Sequence, residues 1–314
     1  MTHSSATDNG HCVAVVGMFD GVHAGHRHLL GQLGALAAET GLRPLVITFT
    51  NHPLEVIAPE RAPRLLTSAA GKRRLIAAAL PGARVEVMPF DDALRLTSAA
   101  GFLDMLRDRY GVRALLLGFN NRFGHDAPRD FAAYARLGRE AGVEIHLATE
   151  CAGASSSAVR ALLAEGDAAG ATAMLGRPYT LTGHVETGRR IGRTIGFPTA
   201  NVRPDDARRL VPAPGVYACR ATVGTADGSG GNADNPAGAV FPAMVNIGRR
   251  PTIGEGLDTT VEAHLIGFDA DLYGCEVTLE FVERLRAERR FDSLTALAAQ
   301  LDADRAVTLA TLGE

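Results

Sequence analysis

An α/β doubly wound parallel sheet, followed by a small antiparallel β-barrel with a C-terminal helix, is the architecture this sequence predicts. Three observations lead there. Through the first half, short apolar runs alternate with segments of helical periodicity, the pattern of a parallel sheet and its crossover helices. At Gly176-Arg177-Pro178 the helical pattern breaks, and beyond it apolar and polar residues alternate between glycine-rich connections, the pattern of an antiparallel barrel or sandwich. The chain then closes in an amphipathic helical stretch, Phe291 to Leu312, with Asp292 or Ser293 as its cap. At 314 residues, two domains are expected, 11–175 and 176–314.

Composition excludes several classes of function. Apolar residues at 46% and charged residues at 21% suit a soluble chain able to bury a core. A net charge of −3 carries no basic footprint, so no nucleic-acid partner is expected. No apolar run approaches the roughly 20 residues of a membrane span, and polar Met1 to His11 lacks the apolar segment of a signal peptide. A cytoplasmic protein without a membrane partner is therefore expected. Cys12, Cys151, Cys219 and Cys275 are scattered, which favours reduced thiols over disulfides or zinc. Lys72 is the only lysine, and Gly71-Lys72-Arg73 lacks the Ser or Thr that a P-loop requires. The motif sets of protein kinases are absent too. Any phosphate handling by this chain would have to rest on arginine, histidine, backbone amides and a metal.

In the first half, Cys12 to Val16 reads as a buried strand, and Leu29, Leu30, Leu33, Leu36 and Ala37 mark the helix that follows. Between them lies Gly17-Met18-Phe19-Asp20-Gly21-Val22-His23-Ala24-Gly25-His26. A strand turning tightly into a helix aims N–H groups and the positive dipole end at the crevice of a parallel sheet. With helical geometry from His23, both imidazoles share a face and can donate to one phosphate. Gly25, lacking a Cβ, would let a base or phosphate approach closely. A glycine turn with two solvated histidines is the plainer alternative. Strands at 44–49, 85–88, 114–117 and 143–147 and helices at 67–80, 98–109 and 129–141 continue the alternation. Polar stations fall at the strand ends: Asn51-His52-Pro53, Asn120-Asn121 and Ser155-Ser156-Ser157. The serines cap a helix equally well.

The 17–26 stretch resembles the His-x-Gly-His signature of the nucleotidyltransferase superfamily, in the Gly-x-Phe-Asp-Gly-x-His-x-Gly-His form of bacterial bifunctional riboflavin kinase/FAD synthetases. Ser155-Ser156-Ser157-Ala158-Val159-Arg160 resembles that family's Ser-Ser-Thr-x-Ile-Arg element, and Gly118 to Gly124 its Gly-Glu-Asp/Asn-Phe-x-Phe-Gly element. His52 before Pro53 fits the family's His-Pro. The resemblance implies a nucleotidyltransferase-like sheet with His23 and His26 as catalytic groups. It implies contacts to nucleotide or flavin from Gly17, Phe19, Asp20, Gly25, Asn120, Ser156, Ser157 and Arg160. The chain departs from the pattern at Met18, at Phe119, which replaces an acid, at Asn121, which replaces an aromatic residue, and at Ala127-Pro128-Arg129.

In the second half, helical patterns at 158–165 and 167–175 precede strands at 181–186, 215–223, 239–246, 260–266 and 276–283. Gly224 to Gly238 reads as a long polar loop without chemistry. Gly188-Arg189-Arg190-Ile191-Gly192-Arg193-Thr194-Ile195-Gly196 combines flexible glycines with positive charge, which suits a phosphate loop or a surface hairpin. It runs into Gly196-Phe197-Pro198-Thr199-Ala200-Asn201, where Pro198 stiffens a turn from which Thr199 and Asn201 project hard oxygen ligands. That hexapeptide resembles the riboflavin kinase signature. Gly215-Val216-Tyr217, Val245 to Thr252, Asp271-Leu272-Tyr273-Gly274 and Arg286 to Leu294 follow in the family's order. In the strand Val261 to Leu265, Glu262 and His264 share a face, and the resemblance places the catalytic base at Glu262.

The resemblance covers residues 12 to about 305 and implies a riboflavin kinase-like barrel that makes FMN and a sheet domain that makes FAD. ATP serves both steps. Gly188, Gly192, Arg193, Gly196 and Pro198 would hold one ATP, with Mg²⁺ on Thr199 and Asn201. The implied partners are riboflavin, FMN, FAD, ATP, ADP and pyrophosphate, on a monomer or weak homo-oligomer. Two alternatives stay open. One is a monofunctional riboflavin kinase with a degenerate first domain, motivated by Phe119, Asn121 and 127–129. The other is a flavin-binding sensor without catalysis.

Overall fold

The computed structural model describes residues 10–119, 121–151, 153–186, 196–224, 238–251 and 257–313. In the first half, β1 (Cys12–Val16), β2 (Arg43–Phe49), β3 (Arg84–Met88), β4 (Val112–Leu117) and β5 (Glu144–Leu147) form a parallel sheet in the order β3-β2-β1-β4-β5. All of β1 is buried, because helices cover both faces of a parallel sheet and its central strand meets no water. Val13 and Val15 join Leu30 and Leu33 of α1 (Ala24–Thr40) on one face. Short α2 (Leu54–Ile57) precedes α3 (Ala69–Ala79), whose Ile76 packs on the same face. After short α4 (Asp92–Arg95), α5 (Ala99–Tyr110) and α6 (Phe131–Ala141) cover the other face, where Phe102, Leu103, Leu106 and Tyr134 meet Ala14, Ile47 and Leu115. The strand order reverses about β1, so its carboxyl end is the crevice where such sheets bind ligands.

Packing divides the chain into two compact units, one up to Ala154 and one from Ser155 onward. The second opens with α7 (Ser156–Glu165) and α8 (Ala168–Leu175), and α8 packs on the barrel strands. The pattern break at Gly176 therefore marks where the strands begin, whereas packing divides 21 residues earlier, between Ala154 and Ser155. α8 buries Ala168, Ala171 and Leu175, an apolar face that the barrel covers.

The barrel closes through β6 (Tyr179–Glu186), β7 (Ala200–Pro204), β8 (Gly215–Val223), β9 (Ala239–Pro251), β10 (Leu257–Leu265) and β11 (Glu276–Arg286), in the order β10-β7-β6-β11-β8-β9 and back to β10. Alternate residues fill the inside: Leu181, Tyr217, Cys219, Val245, Ala263 and Phe281 are almost fully buried. α9 (Leu294–Leu312), capped by Ser293, packs outside on β8, β9 and β11. β7 corrects the expectation of a rigid turn running through Asn201. Only Ala200 and Val202 alternate there, too short a pattern to register alone, and pairing to β6 and β10 makes the strand.

Candidate active sites

The first site begins where β1 ends. In four residues the chain adopts a left-handed backbone three times, at Phe19 (φ 49°), Gly21 (φ 83°) and Val22 (φ 42°). Only the glycine does so freely; the two side chains store about 1–3 kcal/mol each. Burial of both and one carboxylate hold the turn. Asp20 is 1% exposed and accepts from the Leu66 and Thr67 amides and the Thr67 hydroxyl, all at 3.0 Å. The same hydroxyl accepts from the Gly21 amide at 3.2 Å. Asp20 thus clamps the turn to the segment before α3, and Phe19 backs the site from within the core.

His23 caps α1, its Nδ1 accepting from the His26 amide at 3.4 Å. A neutral His23 ring therefore carries its proton on Nε2. The His23 and His26 rings stack at 3.8 Å and 22°, and Phe19 lies 5.1 Å from His26. Burial, then His23, then Lys72 push the His26 imidazole well below its ordinary pKa. Its buried Nδ1 has no hydrogen-bond partner among the described residues. Such an atom suits an incoming phosphate oxygen. The absence of a Cβ at Gly25 also serves the first imidazole. A Cβ there would lie 3.2 Å from both the His23 ring and the Ala154 carbonyl, so the missing side chain makes room for the first imidazole.

At the neighbouring strand ends, Asn51 exchanges two hydrogen bonds of 2.9 Å with the Phe90 backbone, and His52 Nδ1 accepts from the Leu54 amide at 3.1 Å. Asn121, in the aromatic position of the motif, donates to the Val16 carbonyl at 2.5 Å, tying the end of β4 to β1. Phe119 is 51% exposed, and Asn120 lies outside the described residues. Ser155 caps α7 by accepting from the Ala158 amide. Ser156, Ser157 and Arg160 occupy the first turns of that helix, in the second unit.

The second site is built on the barrel. Gly188, Gly192 and Arg193 lie outside the described residues, while Gly196 has a left-handed φ of 82°. Phe197 packs edge-on against His264 at 5.2 Å, and His264 Nδ1 donates to the Pro198 carbonyl at 2.8 Å. That bond places the ring proton on Nδ1, and burial lowers the His264 pKa. In the ladder, Glu262 stands opposite Asn201 on one side and Asn246 on the other. Two cavities lie on opposite faces of β10. One, about 330 Å³, takes Glu262 and His264 together with Asn246, Phe197, Phe291 and Leu301. The other, about 530 Å³, takes Ala263 and Leu265 together with Pro198, Asp269, Asp271 and Tyr273. Thr199 lines both.

Beside the smaller cavity, the Arg286 guanidinium grips Asp304 of α9 in a fork of 3.0 and 2.7 Å, and Gln300 donates to the same carboxylate at 2.6 Å. Arg289 lies 4.6 Å over the Phe291 ring. Sequence reading missed Asp304, an acid within a helical pattern. Its signal was weak: helix residues 300 and 304 share a face, but nothing local shows that the barrel supplies the cation.

Comparison with known proteins decides the family. The family model described as FAD synthetase matches residues 5–159, and the riboflavin kinase model matches residues 175–312. A bifunctional riboflavin kinase/FMN adenylyltransferase of Pseudomonas fluorescens is 37% identical over 98% of this chain and 95% of its own. The chain belongs to the bifunctional riboflavin kinase/FMN adenylyltransferase family. The Escherichia coli K12 member is 37% identical over 96% of this chain and 92% of its own. A solved Streptococcus pneumoniae structure described as a macrolide-efflux protein superposes with a TM-score of 0.81 at 27% identity, covering 95% of this chain and 94% of that one. Among the described residues no helix is long and apolar enough to cross a membrane. Both family models find their segment here, so the departures at Met18, Phe119, Asn121 and 127–129 stand within a complete riboflavin kinase/FMN adenylyltransferase framework.

Proposed function

We propose that the barrel unit phosphorylates riboflavin to FMN and that the parallel-sheet unit adenylylates FMN to FAD, each step using one ATP. The observation that carries this reading is Thr199, at the wall between an apolar cavity holding Glu262 and a larger cavity on the opposite face of β10. A flat isoalloxazine suits the aromatic and aliphatic walls of the first, and a nucleotide suits the second. The donor phosphate and the acceptor hydroxyl then meet at Thr199.

In the first reaction, Glu262 accepts the proton of the ribityl 5′-hydroxyl as that oxygen bonds to the γ-phosphorus and ADP leaves. His264 positions the turn by holding the Pro198 carbonyl. The donors fit a magnesium ion: Thr199 and Asn201 offer neutral oxygens, hard ligands of the kind it takes. Mg²⁺ takes one or two protein ligands and completes its shell with phosphate and water. Bound there, it would neutralise phosphate charge.

In the second reaction, an FMN phosphate oxygen bonds to the α-phosphorus of ATP and pyrophosphate leaves. The nucleophile is already an anion, so the site needs charge neutralisation and alignment rather than a strong base. His23, through Nε2–H, His26 and the start of α1 supply these.

Incubating the protein with riboflavin, ATP and Mg²⁺ should give FMN and then FAD, and supplied FMN should give FAD and pyrophosphate. FMN without FAD would leave a monofunctional kinase; flavin binding without ATP consumption would leave a sensor.

A further inference from the structure

We propose that Lys72 is a positioning residue for adenylyl transfer, a fixed buried cation that holds the ends of β1 and β2 and stands behind the His23–His26 pair. The proposal rests on reading that pair as the polyphosphate cradle. Lys72, on α3, is 1% exposed. Its Nζ donates to the carbonyl of Phe49, the last residue of β2, at 2.8 Å, and lies 3.9 Å from the sulfur of Met18, two residues beyond β1. These are the carboxyl ends of two adjacent strands, of which β1 opens onto the crevice.

Burying an ammonium costs several kcal/mol, and an apolar side chain of similar volume is often neutral or stabilising in its place. A cation kept at this point calls for a use, and ATP supplies one. A charge already desolvated and tethered needs no reorganisation when a polyphosphate arrives or when pyrophosphate takes up charge in the transition state. The groups acting on His26 are His23, stacked on it, and Lys72, and both oppose its ionisation together with burial. The imidazole is thereby kept neutral with its inner nitrogen open to a ligand, while a positive charge resides on a buried side chain tethered to the Phe49 carbonyl.

Because the chain has one lysine, protein labelled with ε-¹³C lysine gives a single side-chain Cε resonance. Adding pyrophosphate or ATP with Mg²⁺ to the intact enzyme should shift that resonance; no shift with either overturns the proposal. Lys72→Met should lower the turnover of supplied FMN to FAD at least tenfold and raise the midpoint of the His26 ring titration. Riboflavin phosphorylation should continue, and Lys72→Arg should restore most FAD synthesis. A folded Lys72→Met protein making FAD at the wild-type rate, or with an unmoved His26 midpoint, also overturns it. If His26→Ala instead makes FAD normally, the imidazole cradle itself is misread. Should Lys72→Met not fold, the labelled wild-type enzyme decides alone.

Discussion

Glu262 on β10 stands directly across the ladder from Asn201 on β7. Paired side chains in such a sheet have Cβ atoms about 4.5–5.5 Å apart. The proposed proton acceptor and a proposed metal ligand are therefore held one strand spacing apart by backbone hydrogen bonds rather than by a flexible loop. Asn246 completes the row on β9.

Replacing Glu262 by Gln preserves shape and register but removes the proton acceptor. FMN formation should fall by roughly 10²–10⁴, with FAD formation from supplied FMN unchanged. Product analysis of the two half-reactions checks this, and loss of both in a folded protein would contradict the division of labour.

His26→Ala should do the converse. Loss of one preorganised donor should lower FAD formation by about 10²–10³, while riboflavin phosphorylation survives. A thermal unfolding scan that follows the first unit, run on the same sample, serves as the control for folding.

The two lowered histidines predict an acid-sensitive fold. Burial, the larger cause at both, holds His26 and His264 below the ordinary 6.5. The unfolded chain takes up these protons near 6.5, and the folded chain resists them. Stability is thus fully present above about pH 6.5 and declines as pH falls toward the folded values. His26→Gln should flatten the fall of the first unit's Tm below pH 6.5, read by thermal scans across pH. An unchanged slope would mean that His26 titrates normally.

Asp304→Ala removes the 3% exposed carboxylate that joins α9 to Arg286 and leaves that guanidinium without its carboxylate beside the smaller cavity. A cost of about 1–3 kcal/mol is expected, and riboflavin KM should rise roughly tenfold with ATP KM little changed. Flavin fluorescence can follow binding directly, since the chain has no tryptophan. Equal losses for both substrates would indicate general damage to the barrel.

Much of this was legible in the linear chain. The strand-turn-helix at 12–26, the alternation of strands and helices through Leu147, and the shift to antiparallel strands each follow from one local rule: residues that leave water together recur with the period of their element. The chemical inventory was equally plain, because His23, His26 and the 196–201 hexapeptide lie in short contiguous stretches.

Tertiary structure decided what periodicity does not carry. It packed α7 and α8 within the second unit, made Ala200–Pro204 a strand, set the Asp20 carboxylate on the Leu66 and Thr67 amides, and put the His23 ring beside Gly25. It also buried the only lysine on the Phe49 carbonyl and gave Asp304 its arginine. Periodicity reports that a face is buried, but the partner it is buried against is chosen by contacts between residues far apart in the chain, and that choice exists only once the chain has closed on itself.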